Sequence, residues 1–178
     1  MAKPKLSINN EIATYFDDAN ITTKTIFLMT DLEPDDMMAI KLLKGKLSMC
    51  KELIVVIGEH VIEDHDNKCR LFYKLAEKYG FSNKLKKSPQ GKLIIYKGFN
   101  GKKPKKYPEE IFTKIIENNV EIDDIIEKVE WSESILEQLD SNTIFLLMKP
   151  PKEFHNITKF ELKEKFKESL AFMYGSFN

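Results

Sequence analysis

Four carboxylates fall within six residues at Asp31-Leu32-Glu33-Pro34-Asp35-Asp36. Carboxylates this crowded repel one another unless helix amides and their dipole, or a cation, offset the charge. Hard cations such as Ca2+ take about six to eight oxygen ligands, so metal or ligand binding is one reading of the cluster. The other is a helix N-terminus supplied with acidic residues, with Asp35 or Asp36 acting as a cap. A second polar group joins His60 and His65 with Glu59, Glu63, Asp64 and Asp66. Imidazole and carboxylate together suit zinc or iron, but polar residues in a strand-to-helix loop more often serve as caps and solvated charges. The basic stretch from Lys97 to Tyr107 could attract phosphate or RNA, yet its aromatics, Phe99 and Tyr107, are sparse. That favours a solvated loop. Cys50 and Cys69 lack a Cys-x-x-Cys context and read as buried thiols, and His155 has no partner legible in sequence. Trp131 and the phenylalanines read as core.

These residues need a frame to position them. Thr25 to Thr30, Leu53 to Ile57, Lys92 to Tyr96 and Thr143 to Met148 are short apolar runs of the kind buried parallel strands show. Leu170 to Met173 is a candidate fifth strand. Helical spacing begins at Met37 with Gly45 as its stop, and recurs over 64–79 before Gly80. Further helices are expected at 109–118, 132–139 and 159–168, with an acidic connection (Glu121, Asp123, Asp124, Glu127) between the first two. Strands alternating with helices predict an α/β fold, an open, mainly parallel sheet with helices on both faces. Ligands in such sheets bind beyond the carboxyl ends of the strands. The segments to watch are 30–36, 58–66, 97–107, 148–155 and 174–178.

Bulk properties narrow the classes. A chain of 178 residues suits one domain, here 25–178 behind a polar extension 1–24 in which 11–16 could form a helical turn. Hydrophobic residues at 42% and charged residues at 31% exclude a disordered tail. No apolar run approaches the ~18 residues of a membrane span, and no secretory leader is visible. With two cysteines the expected setting is a reducing cytoplasm. The 28 basic and 28 acidic side chains cancel, which makes nucleic acid an unexpected partner. Arg70 is the single arginine among those 28 bases, a lysine bias that fits an A+T-rich coding sequence such as a viral or parasite genome, in the former case with the host cytoplasm as the setting.

Thr30-Asp31-Leu32-Glu33-Pro34-Asp35-Asp36-Met37-Met38-Ala39-Ile40 resembles the N-terminal signature of the inosine/uridine-preferring nucleoside hydrolases. That signature runs strand, Asp-x-Asp-x-x-x-Asp-Asp, then a helix opening in small residues. Asp31, Asp35 and Asp36 match its second, third and fourth aspartates; Met29 replaces the first and Glu33 the usual glycine. Later stations follow in order over about residues 25–178. Gly58-Glu59 stands where the family reads Gly-Asn, with Asn67 near the start of the next helix. Leu93 to Gly98 resembles its Val-Tyr-x-Gly strand, Thr143 to Glu153 its Gly-Pro-Leu-Thr-Asn strand and turn, and Met173-Tyr174-Gly175 its Met-Gly-Gly strand.

The resemblance implies a hydrolase of ribonucleoside N-glycosidic bonds using a Ca2+-bound water. By position Asp31 would be metal ligand and general base, Asp36 a metal ligand, and the carbonyl of Met148 a third. Asp35 and Glu59 would bind the substrate. The family's remaining ribose and metal residues lie beyond its Met-Gly-Gly strand, and this chain ends five residues after Met173. The site is therefore expected to be completed by a second copy or a complementing chain, or else to bind a ribonucleoside or metal without turnover. A Mg2+-dependent phosphohydrolase is a further reading, weakened by the missing Asp-x-Asp at the strand end.

Overall fold

A computed structural model of the chain describes residues 18–59, 65–100, 122–149, 152–155 and 171–173. Helix α1 (Asp18–Ile21) leads into β1 (Thr25–Thr30), α2 (Pro34–Met49), β2 (Glu52–Glu59) and α3 (His65–Tyr79). There follow a 3-10 turn (Ser82–Lys84), β3 (Leu93–Asn100), a second 3-10 turn (Ile122–Asp124) and β4 (Ile126–Glu130). The chain continues through α4 (Ser134–Glu137), β5 (Thr143–Leu147), α5 (Lys152–His155) and β6 (Ala171–Met173). The strands form one sheet in the order β4-β3-β2-β1-β5-β6, and every pairing is parallel. This is the expected α/β class.

The order reverses at β1. Strands β1 to β4 step outward in one direction, whereas β5 returns to the free edge of β1. Thr25 pairs with both Glu52 and Thr143, so β1 is central and its carboxyl end borders the reversal. Crossover connections leave this switch on opposite faces, the place where α/β sheets generally bind ligands.

Both faces are covered. One carries Ile26, Leu28, Val55, Ile57 and Ile95 packed against Ala39, Ile40 and Leu47 of α2 and Cys69 and Phe72 of α3. The other carries Phe27, Met29, Val56, Tyr96, Phe145 and Leu147 under Ile135, Leu136 and Phe154. Phe27, Phe145 and Phe154 meet there with ring centroids 5.3 to 6.0 Å apart, and Trp131 stands edge-on to Phe27. Two-sided burial explains why the central strands read as unbroken apolar runs rather than alternating ones.

Several boundaries move. The helix α2 runs through Gly45 to Met49, because Leu47 is fully buried in the first core and pulls the next turn inward. Strands β2 and β3 continue past Gly58 and Gly98. The acidic connection holds an edge strand, β4, and the helix expected at 132–139 shrinks to Ser134–Glu137. Ile21 is fully buried in the first core, so the fold reaches back into the segment read as a polar extension. The helices expected at 109–118 and 159–168 and the turn at 11–16 lie outside the described residues. Among the described residues no helix is long and apolar enough to cross a membrane.

Candidate functional site at the carboxyl edge of the sheet

The apolar run of β1 stops at Thr30, whose hydroxyl, fully buried, donates to Asp36 Oδ2 at 2.6 Å. The same carboxylate oxygen accepts the backbone amides of Asp31 at 3.1 Å and Leu32 at 3.2 Å. Thr30 Oγ1 in turn accepts from Leu32 N at 2.9 Å. To aim those amides inward the chain places Leu32 in the left-handed region, φ 58°. A left-handed conformation costs a non-glycine residue roughly 1–2 kcal/mol. Burial of the Leu32 side chain in the first core offsets it.

Pro34 and Asp35 precede Asp36 in the first turn of α2, and Glu33 is the N-cap with no side-chain capping bond. Asp36 performs the tie instead, reaching back to amides ahead of the helix much as the third residue of a capping box does. Asp31 is also buried, and its Oδ1 accepts from Glu33 N at 3.4 Å. Burial raises the Asp36 carboxyl, and the charge of Asp31 together with a carboxyl-carboxyl hydrogen bond to it raises it further, to about 8, against the lowering effect of Thr30. Near neutrality, then, the pair holds one proton more than two ordinary carboxylates would.

Asp31, Asp36 and the Met148 carbonyl are the donors expected for a cation. Charge balance favours one: two adjacent buried carboxylates of which one keeps its proton are short of positive charge. Donor number does not. Among the described residues no three His, Cys, Asp or Glu side chains converge as a metal shell. One oxygen of Asp36 is already committed to three hydrogen bonds. A cation there would draw most of a shell of about six to eight oxygens from water or ligand.

Met148 continues the β5 ladder by donating its amide to Met29 O at 2.8 Å, and its side chain joins the first core. Asp35 is half-buried in the first turn of α2. Glu59 closes β2, its backbone paired to Asn100 across a register irregularity that begins at Ile57. The structure thus brings Asp31, Asp35 and Asp36 to the end of β1, with Met148 at the adjoining end of β5 and Glu59 one strand away.

Sequence reasoning missed a buried ion pair at this edge. Lys149 Nζ donates to Glu153 Oε1 at 2.6 Å and Oε2 at 2.8 Å, with side chains 5% and 0% exposed. Glu153 Oε1 also accepts the amide of Phe99 at the end of β3, at 2.9 Å. The pair lies over two glycines. A Cβ on Gly58 would stand 2.8 Å from Lys149 Cε, and one on Gly98 would collide with Glu153 Oε1. The available signals were the i, i+4 spacing of Lys149 and Glu153 and a glycine near the end of two neighbouring strands.

The second expected cluster resolves differently. His65 is buried at the start of α3, its Nδ1 3.6 Å from Cys69 Sγ. Burial lowers its pKa to about 4, assisted by Lys97 and Lys68. It is a neutral, packed histidine. Lys68, fully buried, donates to Gly58 O at 2.7 Å. His60, Glu63 and Asp64 lie outside the described residues, as does the lysine loop beyond Asn100, while Lys97 pairs with Glu130 at 3.3 Å. Both cysteines are buried free thiols, and burial pushes Cys50 up to about 11. No protein-family model, curated protein or solved structure matches this chain.

Proposed function

We propose that this chain is a nucleoside-hydrolase-like protein that binds a ribonucleoside in the crevice between the carboxyl ends of β1 and β5. The observation that carries the reading is the Asp31–Asp36 carboxyl pair at the end of the central strand, beside the reversal of strand order. A carboxylate held beside a second carboxyl that keeps its proton, at the ligand edge of the sheet, is placed to take a proton from water. Asp31 takes the proton of the attacking water. Asp35, at the mouth of the same turn, accepts a ribose hydroxyl, with Glu59 on the neighbouring strand end as a further sugar contact. Asp36 holds the loop that aims Asp31. A Ca2+ ion on Asp31, Asp36 and the Met148 carbonyl would lower the pKa of a bound water.

The test is release of free base from inosine, uridine and the other common ribonucleosides, followed chromatographically with millimolar Ca2+ or with EDTA. Base should appear with Ca2+, fall away with EDTA, and be absent from Asp31→Ala. If no nucleoside yields base, the hydrolase reading fails for this chain alone. A second reading, nucleoside binding without turnover, is favoured by the small donor number around Asp31 and Asp36. Calorimetric binding of inosine without release of hypoxanthine would support it.

A further inference from the structure

We propose that Lys149 and Glu153 form a second polar subsite of the crevice, in which the Lys149 ammonium donates a hydrogen bond to a neutral, hydroxyl-rich ligand. The inference rests on the ribonucleoside reading and extends it to the donor that reading lacks.

Register places Lys149. Met29 pairs with Leu147, and the ladder persists one step further through Met148 N to Met29 O. Lys149 follows Met148 just past the end of β5, as Asp31 follows Thr30 at the end of β1. Along β5 the side chains of Phe145 and Leu147 enter the second core, and Lys149 follows them onto that face, across Gly58, to meet Glu153 over Gly98.

Three costs meet at this point. Desolvating an ammonium and a carboxylate costs several kcal/mol each, and an apolar pair of similar volume would commonly be as stable or more so. Glycine weakens a strand by about 0.5–1 kcal/mol, and here two neighbouring parallel strands each carry one where the ion pair needs the space. Placing all of this at the ligand edge of the sheet, rather than in the core, points to recognition.

The donor inventory gives the ligand class. An ammonium has three N–H bonds. Lys149 spends two on Glu153 and makes no other hydrogen bond among the described residues. Glu153 accepts three hydrogen bonds, two on Oε1 and one on Oε2, so the pair offers one donor, one further acceptor site on Oε2 and no net charge. What remains is an oxygen acceptor on a neutral molecule, such as a hydroxyl of a pentose. Asp35 at the β1 turn accepts from one hydroxyl while Lys149 donates to another, so the sugar is held from both sides.

The first experiment observes the Lys149 15Nζ resonance of the wild-type protein during titration with ribose and with inosine. A shift at Lys149 supports the subsite; none up to the solubility of ribose overturns it. Amide shifts at Asp31 and Leu32 with inosine but none at Lys149 would leave the nucleoside reading standing and remove only the subsite. The second experiment unmasks the ammonium with Glu153→Gln and uses inorganic phosphate as the probe. Phosphate should bind Glu153→Gln, and neither wild type nor Glu153→Gln/Lys149→Met. A folded Glu153→Gln protein indifferent to phosphate would show Lys149 sealed from the crevice and overturn the proposal. Should Glu153→Gln not fold, the wild-type titration decides. In a binding series Lys149→Met should weaken inosine about tenfold or more, the usual worth of a hydrogen bond from a charged donor. Lys149→Arg should recover part of it.

Discussion

Replacing Asp36 by asparagine tests the electrostatics of the β1 turn directly. Asparagine keeps the shape and an oxygen able to accept from Thr30 and from the amides of Asp31 and Leu32, so the loop retains its tie. What it removes is a carboxyl raised from 3.8 to about 8 by burial and by Asp31. A group whose folded pKa lies above its unfolded value contributes stability that is complete below the unfolded pKa. That contribution is lost as pH rises through the folded one. Within that window the wild type should lose about 1.4 kcal/mol of stability per pH unit relative to Asp36→Asn. From about pH 5 to about pH 7 the difference amounts to roughly 3 kcal/mol. Urea unfolding of both proteins in EDTA reads it, because titrating groups outside the Asp31–Asp36 pair cancel in the comparison. Repeating the series in millimolar Ca2+ should flatten the wild-type slope and leave Asp36→Asn unchanged, since a bound cation replaces the proton. A stability difference constant across this range would refute the reasoning, for Asp36 would then ionise as an ordinary surface carboxylate does.

Other outcomes follow from the same edge and from the cores. Lys149→Met or Glu153→Gln alone should cost about 3–5 kcal/mol by stranding a buried charge, while Lys149→Met with Glu153→Gln should cost less than the sum of the two; additive losses in this double-mutant cycle would contradict it. Gly45→Ala should raise stability by roughly 0.5–1 kcal/mol, because Gly45 lies inside α2 with open space where the methyl would go, and a lowered midpoint in thermal unfolding would count against it. The pKa of His65 is lowered from 6.5 to about 4 by burial, so its contribution is complete above 6.5 and is lost as pH falls through 4. The loss is on the order of 3 kcal/mol. Imidazole NMR should find this ring neutral until about pH 4; an ordinary midpoint near 6.5 would show it solvated.

How much of this was legible in the sequence depends on what each element buries. Strands β1, β2 and β5 announce themselves because both faces are covered, and α3 because its apolar face is narrow and its polar face broad. Strand β4 does not. It pairs with β3 alone and exposes Lys128 and Glu130, so the pattern Ile126-Glu127-Lys128-Val129-Glu130 carries too little apolar content to separate it from an acidic linker. Gly58 and Gly98 read as strand stops, yet they are spaces within strands, the first required by Lys149 arriving from β5 and the second by Glu153 of α5. Gly45 read as a helix stop because its neighbours are lysines; burial of Leu47 overrides it. The acidic turn was legible as a place. Its internal wiring was not, because it depends on Leu32 adopting a backbone that sequence alone does not demand.

The two polar centres of the edge share one cause. Side chains alternate along a strand, so consecutive residues serve opposite faces. Thr30 belongs to the face of α2, where it meets Asp36, and Lys149 belongs to the face of α5, where it meets Glu153. Only the register of β1 with β5, fixed by apolar pairs from Ile26–Ile144 to Met29–Leu147, brings the ends Thr30-Asp31 and Met148-Lys149 level. A slip of one residue would put Lys149 among the aliphatic side chains under α2 and Thr30 among the aromatics around Phe27. The buried hydrophobic pairs therefore do more than stabilise the sheet. By excluding that slip, they set which polar side chain reaches the α2 face and which the α5 face at the carboxyl edge, so the placing of both centres is a consequence of the core.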